Sequence, residues 1–379
     1  MSLKRIVVKK LSSELNSLRI LFIAPLPPPI HGSAVVSQQI KSSRVINDAL
    51  KCDWVNLSTS RRMNEIGKNS PVKVFRLVGS LGKAFLKLLT HRYNFCYLAI
   101  TCHGIGFLKD APFALLCKLF GRKIVLHQHN KGMANDVERW PYRWLLPLVY
   151  RNATVILLSW YLYPDIEMVV PKENVVVCPN GIVVDDSWLK VKETKGENAV
   201  PHLLFLSNLM ESKGVLILLD ALKLLTDKGV SFVCDIVGGE TKEINARRLD
   251  EEIDRRQLKH VVFYHGRKMG KEKEFFFNQS DVFLLPTSND CFPLVLLEAM
   301  AHCLPIVTTG EGGIPDMVQD GVNGIICRKQ DSVSLAYAIE QLTADSELRK
   351  QMGIAGRERL EKLFTEDVFE RKILEILSV

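Results

Sequence analysis

The 379 residues exceed what one ordinary hydrophobic core organises and correspond to roughly two to three domains. Apolar residues make up 47% and charged residues 24%, the balance of a soluble globular protein, and no run reaches the roughly 18 apolar residues that a membrane-spanning helix needs. The net charge of +8 divides unevenly: residues 1–190 hold 26 Lys/Arg and 12 Asp/Glu (+14), and residues 191–379 hold 24 and 30 (−6), so the first half is suited to meet something anionic, whether a membrane surface, a phosphorylated acceptor or nucleic acid.

The chain opens with MSLKRIVVKKLSSELNSL, a very short apolar run with charges on both sides. It lacks the apolar region and small-residue cleavage site of a signal peptide, so a cytoplasmic location is expected. The nine cysteines are scattered and odd in number, which makes no disulfide framework. The grouping Cys96, Cys102, His103 and Cys117 lacks the two-residue spacing of a metal site, and no metal or cofactor is expected. Arg19–Ala24 (RILFIA) reads as a buried strand, ended by PLPPPIHGS, which cannot be helical; helical spacing resumes over Ala34–Ile40. Strand, irregular loop with glycine, then helix is the opening of a doubly wound sheet. Further strands are predicted at Cys96–Ile100, Lys123–His127, Thr154–Leu158 and Asn174–Cys178, with helical patterns between them.

The second half begins alike. His202–Asn208 reads as a strand, MESKG as its loop and VLILLDALKLLTDKG as an amphipathic helix ending at Gly229. SFVCDIVGGE, HVVFYHGR, Asp281–Pro286, Leu304–Thr309 and Ile325–Cys327 supply further strands, the last after a tight turn at Asn323-Gly324. Both halves alternate strand and helix, which predicts α/β domains with parallel sheets covered by helices on both faces. The polar, aperiodic segment Asp185–Pro201 is the best linker.

The most informative stretch is SNDCFPLVLLEAMAHCLPIVTT, from Ser288. A strand ends, a loop carries Asp290 and Cys291, and Pro293 suits the first position of a helix. The amides around Phe292, Leu294 and Val295 are then orphan donors at a positive dipole end, where a phosphate is favoured. Glu298 lies one turn after Leu294 on the same face, placed to accept from ribose hydroxyls; Asp290 is placed to do so for a sugar. The bland alternative makes Asp290 a helix cap and Glu298 a solvated residue.

This segment resembles the signature of the family-4 retaining glycosyltransferases (glycosyltransferases group 1), whose fold is GT-B. In that family two Glu residues flank seven others, the first contacting the donor sugar and the second the ribose; here they correspond to Asp290, shorter by one methylene, and Glu298. GEGGIPDMVQDGVNGIIC, from Gly310, resembles the family's next element, with Gly312-Gly313 allowing close backbone approach and Pro315 starting a short helix. SNLMESKG, Ser207–Gly214, resembles its phosphate loop, where an Arg and a Lys five residues apart grip the diphosphate. Lys213 matches the Lys, and Asn208 stands in the Arg position. Seen alone, Lys213 is a surface lysine before a helix.

VVVCPNGIVV, Val175–Val184, resembles the family's Pro-Asn-Gly loop at the domain junction. PPPIHGSAVV resembles its glycine loop, with His31-Gly32 replacing Gly-Gly, and Gly32 carries over. KIVLHQHNKGM puts His129 just past a strand end, where the family often has an active-site histidine; strand alternation favours a more buried place for His127. A satisfied structural histidine is the alternative for His129. Arg267, past a strand end, is a candidate for holding the base.

No dinucleotide fingerprint follows the strand at Arg19, and neither a Ser-His-Asp arrangement nor a Walker loop is present. No Asp-x-Asp follows a strand to hold a metal-bound diphosphate, so metal independence is expected. Two basic segments remain: Pro71–Arg92 mixes Lys73, Arg76, Lys83, Lys87 and Arg92 with a broad apolar set, and Arg139–Arg151 interleaves Trp140, Tyr142, Trp144 and Tyr150 with Arg. Both suit a membrane interface or, alternatively, core helices with a solvated basic side. Nucleic acid is not a favoured partner, since no binding module is recognised.

The resemblance implies two Rossmann-like domains facing across a cleft: residues 1–185 binding the acceptor, 186–365 binding the nucleotide sugar, and a helix over 366–379 crossing back onto the first. The implied activity is metal-independent transfer of a hexosyl group, with retention, from a nucleotide diphosphate sugar to a saccharide or lipid-linked acceptor in bacterial-type surface glycan synthesis. His129, Lys213 and Asp290 are its catalytic candidates. Alternatives are a non-catalytic nucleotide-sugar-binding subunit and a soluble disaccharide-phosphate synthase.

Overall fold

The computed structural model describes residues 18–30, 32–60, 70–185, 188 and 198–378. The first seventeen residues, His31 and most of the segment Asp185–Pro201 lie outside them. The chain divides into two compact units: Met1–Asn180 with Glu366–Val379, and Gly181–Thr365.

The first unit is built on six parallel strands, β1 (Arg19–Ala24), β2 (Lys51–Asn56), β3 (Phe95–Ile100), β4 (Lys123–Gln128), β5 (Ala153–Leu157) and β6 (Val175–Val177), in the order β2-β1-β3-β4-β5-β6. Their connections include α1 (Gly32–Ser42), α2 (Arg44–Ala49), α3 (Pro71–Thr90), α4 (Gly104–Leu119) and α5 (Tyr142–Tyr150). From Ile20 to Ala24 every residue of β1 is buried, as expected of a strand with helices over both faces. The edge strand β2 is not expected from the sequence. Its KCDWVN mixes polar with apolar residues, and its Asp53 binds Arg19 and Lys87, each at 2.8 Å, and Tyr93 at 3.1 Å. Burial alone would raise the Asp53 pKa, but the hydrogen bonds from Lys87 and Arg19 outweigh it and hold the carboxyl below its ordinary range.

The second unit repeats the architecture with β7 (His202–Leu206), α6 (Val215–Asp227), β8 (Val233–Val237), α7 (Ala246–Arg255), β9 (Val262–Tyr264), α8 (Lys271–Gln279), β10 (Val282–Leu285), α9 (Leu294–Ala301), β11 (Ile306–Thr309), α10 (Ile314–Met317), β12 (Gly324–Cys327), α11 (Ser332–Ala344) and α12 (Ser346–Leu363). All its pairings are parallel, in the order β12-β11-β10-β7-β8-β9. Two local expectations are corrected. Gly324 belongs to β12 rather than to the turn before it, paired with Ile306 of β11. Pro293 stands one residue ahead of α9, with extended backbone, so Leu294 is the first helical residue. The last helix, α13 (Glu366–Ile376), lies in the first unit, where it packs on α2 and buries Glu370; that burial raises the Glu370 pKa.

Between β7 and α6 the chain turns at Gly214, whose φ is +82°. A Cβ there would stand 2.1 Å from the Pro286 carbonyl oxygen, where the loops beyond β7 and β10 pass closest. Both the backbone conformation and the space demand glycine. Gly214→Ala is expected to destabilise the protein by about 2–4 kcal/mol, read as a lower urea midpoint with an unchanged slope.

Candidate functional site

The second sheet reverses its strand order at β7, which has β10 on one side and β8 on the other. At such a point the connections leave toward opposite faces of the sheet, and the crevice outside the carboxyl ends of the strands is where open α/β sheets hold ligands. Here the loops beyond β7 and β10 are joined. The Ser212 carbonyl accepts from the Ser288 amide at 2.8 Å and the Thr287 hydroxyl at 3.0 Å. The Lys213 ammonium lies 2.7 Å from the Asp290 carboxylate and donates to the Asn289 carbonyl at 3.1 Å.

The turn after β11 closes onto the same place. Gly312 has φ +53°, and a Cβ there would stand 2.2 Å from the Asp290 carbonyl oxygen. The Gly313 amide donates to the Cys291 carbonyl at 2.6 Å. Lys213, Asp290 and the Gly312-Gly313 turn therefore form one continuous piece of the molecule. The Lys213 and Asp290 side chains are only 20% and 16% exposed, so the pair is shielded from water and an arriving anion competes with Asp290 for the ammonium.

Among the described residues no side chain caps the start of α9, which begins with Leu294 and Val295. Its first amides are donors without intrahelical partners, at the positive end of the helix. Cys291 and Phe292 turn their side chains inward, Phe292 against Phe364 with ring centroids 5.6 Å apart, so what these two offer a ligand is main chain. One turn into α9, Glu298 accepts from Lys273 of α8 at 2.6 Å. Lys273 escapes sequence reasoning, because KEKE at a helix start reads as a solvated face. Glu311, buried and paired with Lys329, escapes it likewise.

At the other flank, Asn208 and Arg267 border the turn Gly238-Gly239 beyond β8. A Cβ on Gly239 would stand 3.1 Å from the Asn208 Oδ1 and 3.7 Å from the Arg267 Cδ. The Leu209 amide reaches the Gly239 carbonyl at 2.8 Å, tying this turn to the phosphate-loop candidate. Asn208 and Arg267 are both exposed.

In the first unit, Gly32 opens α1, and a Cβ on it would meet open space, so packing alone does not demand glycine there. His129 follows the last residue of β4 and is half-buried, its ring 4.1 Å from that of His127. The loop beyond it is fixed by Asp165, which accepts from the amides of Gly132 at 2.8 Å, Met133 at 3.1 Å and Ala134 at 3.3 Å. His127 is fully buried, with its Nδ1 2.6 Å from the Tyr97 hydroxyl. Burial first, and the neighbouring His129 second, hold its pKa well below the ordinary 6.5.

His127 thus stays neutral in the folded chain while its unfolded counterpart takes up a proton as pH falls through 6.5. Its contribution to stability is constant above that pH and declines below it, by about 1 kcal/mol per pH unit. Urea midpoints of the parent and His127→Gln, compared at neutral and mildly acidic pH, should show a shallower acid decline in the variant.

Residues 187–359 match the family described as Glycosyl transferases group 1. Among curated relatives, glycosyltransferase WcaL of Escherichia coli (strain K12), provisionally assigned to colanic acid biosynthesis, is 31% identical over 217 residues, 55% of this chain and 52% of the relative. The chain spans about half the length of the curated relatives it matches. Among solved structures, sucrose-phosphate synthase from Thermosynechococcus elongatus superposes with a TM-score of 0.72 at 17% identity, covering 95% of this chain and 98% of that one. Anabaena HepE in complex with UDP gives 0.72 at 18% identity, covering 95% and 99%. The chain has the GT-B fold, two Rossmann-like α/β units.

Proposed function

We propose that this chain is a metal-independent, retaining glycosyltransferase that moves a hexosyl group from a nucleotide diphosphate sugar to a saccharide or lipid-linked acceptor in surface glycan synthesis. The observation that carries the reading is the shielded Lys213–Asp290 pair beside the uncapped start of α9, at the strand-order reversal of the second sheet. The biosynthetic names of the relatives and the UDP bound to Anabaena HepE support the same substrate class.

In this reading the second unit holds the donor and the first unit receives the acceptor. The bond between the anomeric carbon and the diphosphate breaks, leaving an oxocarbenium-like sugar and a more negative diphosphate. Lys213 and the amides of Leu294 and Val295 stabilise that charge, with main chain of Cys291, Phe292 and Pro293 shaping the turn beside it and Gly32 leaving room for the phosphates. Asp290 exchanges its hold on Lys213 for a sugar hydroxyl. Glu298 accepts from the ribose, oriented by Lys273, and Asn208 and Arg267 flank the nucleotide. His129 orients the donor sugar or takes the proton released by the acceptor hydroxyl. The reaction takes place in the cytoplasm, at the inner face of the cell membrane when the acceptor is lipid-linked.

Preorganised donors of this kind are each worth about 3–4 kcal/mol, or ~100- to 1000-fold in rate. Lys213→Ala is expected to reduce transfer by about that factor and Glu298→Ala to lose most transfer through weaker donor binding; each leaves a shielded partner, Asp290 or Lys273, unpaired, so a modestly lower unfolding midpoint is expected in a chain that still folds. Purified proteins given a panel of nucleotide diphosphate sugars provide the measurement. Near-normal turnover in both variants would sink the assignment.

A further inference from the structure

We propose that the first unit carries a docking face for an anionic lipid bilayer, made by α3, the end of α4 and the outer side of α5. The inference rests on the peripheral location in the proposed function and not on sugar transfer.

Helix α3 is apolar over an arc much wider than the part it buries. One stripe, with Ala84 and Leu88 buried and Leu77 and Leu81 half-buried, packs onto the unit. The other runs through Phe75, Val78, Leu86 and Leu89 at spacings of three, eight and three, two complete turns bridging the middle gap through Gly82, and it points outward. Phe75 is 81% exposed. A helix whose apolar arc extends this far beyond its buried face needs a second apolar environment, and from Phe75 to Leu89 the exposed strip is about 21 Å long.

The strip continues across two more helices. The Phe85 ring meets Phe120 edge-on, with centroids 5.6 Å apart, and the adjoining Leu119 is 81% exposed. Lys118 donates to the carbonyls of Leu148 at 2.7 Å and Arg151 at 2.6 Å, fastening the end of α4 to the end of α5. Trp144 and Leu148, one turn apart on α5, both face outward. Large apolar side chains exposed on three adjoining helices mark an interaction surface.

Its charge selects the occupant. Ser70–Gln128 contains nine Lys/Arg and one acidic residue, Asp110, which is buried. Lys83 is exposed on the border of the α3 strip, and the Arg143 guanidinium lies 4.9 Å from the centre of the Trp144 ring. Apolar side chains beside Trp and cations, without an exposed carboxylate on these helices, suit the boundary between acyl chains and anionic headgroups. A second copy of the chain would bring one positive face against another. No helix among the described residues is long and apolar enough to cross a membrane, so this contact lies on the surface of the bilayer.

The full chain is expected to float with vesicles of phosphatidylcholine mixed with phosphatidylglycerol and to remain at the bottom with phosphatidylcholine alone. Added salt should weaken flotation, and Phe75→Ser with Leu86→Ser should lower the floated fraction about tenfold. Both side chains are exposed, so the double variant should keep its unfolding midpoint and its turnover on a soluble acceptor. Absence of flotation with the mixed vesicles, or equal flotation of the double variant, overturns the docking face. So does a dimer in sedimentation equilibrium that the double substitution dissociates while vesicles bind neither protein. Turnover without flotation sinks this inference alone, whereas flotation without turnover sinks only the chemistry.

Discussion

The reversal of strand order at β7 is the constraint on which the candidate site of the second unit depends. Because β10 and β8 flank β7, the loop carrying Lys213 runs beside the loop carrying Asp290, although 76 residues separate Lys213 from its carbonyl partner Asn289. Bringing these loops together leaves a lysine partly withdrawn from water, and such a charge requires a partner. Asp290 supplies one carboxylate, which a diphosphate with more charge and more acceptor oxygens can replace. The pair thus keeps the cation poised without filling the place with protein. Gly214 and Gly312 permit the close approach, one against the Pro286 carbonyl and one against that of Asp290.

The parts of the fold legible in the sequence are those whose burial is uniform. Strand β1 and strand β10 are covered on both faces, so RILFIA and VFLL read as unbroken apolar runs. Strand β2 is an edge strand with polar positions, and its cohesion comes from Asp53 gathering Arg19, Lys87 and Tyr93 from other elements, which no local pattern reveals. The same division holds at the site. Lys213, Asp290 and Glu298 stand just beyond strand ends or at a helix start, positions where open α/β sheets favour a ligand. Lys273 and Lys329 reach their carboxylates from separate elements, and only tertiary packing makes them neighbours. For α3, composition discloses the apolar excess but not which part of the broad apolar arc is outside.

The distribution of cations in the first unit decides what charge can do there. Lys87 is bound to Asp53, and Lys118 is bound to two carbonyls, so neither is a loose headgroup ligand. Desolvation first, and Arg151 second, lower the pKa of Lys118, which marks it as a structural fastener between helices. In the proposed docking, the remaining excess of positive charge acts over distance, drawing and orienting the unit toward an anionic plane within roughly a Debye length. Residence on that plane then falls to the outward apolar stripe of α3 and its extension at Leu119, Trp144 and Leu148, each buried CH2 contributing about 0.8 kcal/mol once inserted. Orientation by charge and retention by apolar contact are separable here because the fold has already committed some of its lysines to holding the helices that form the face.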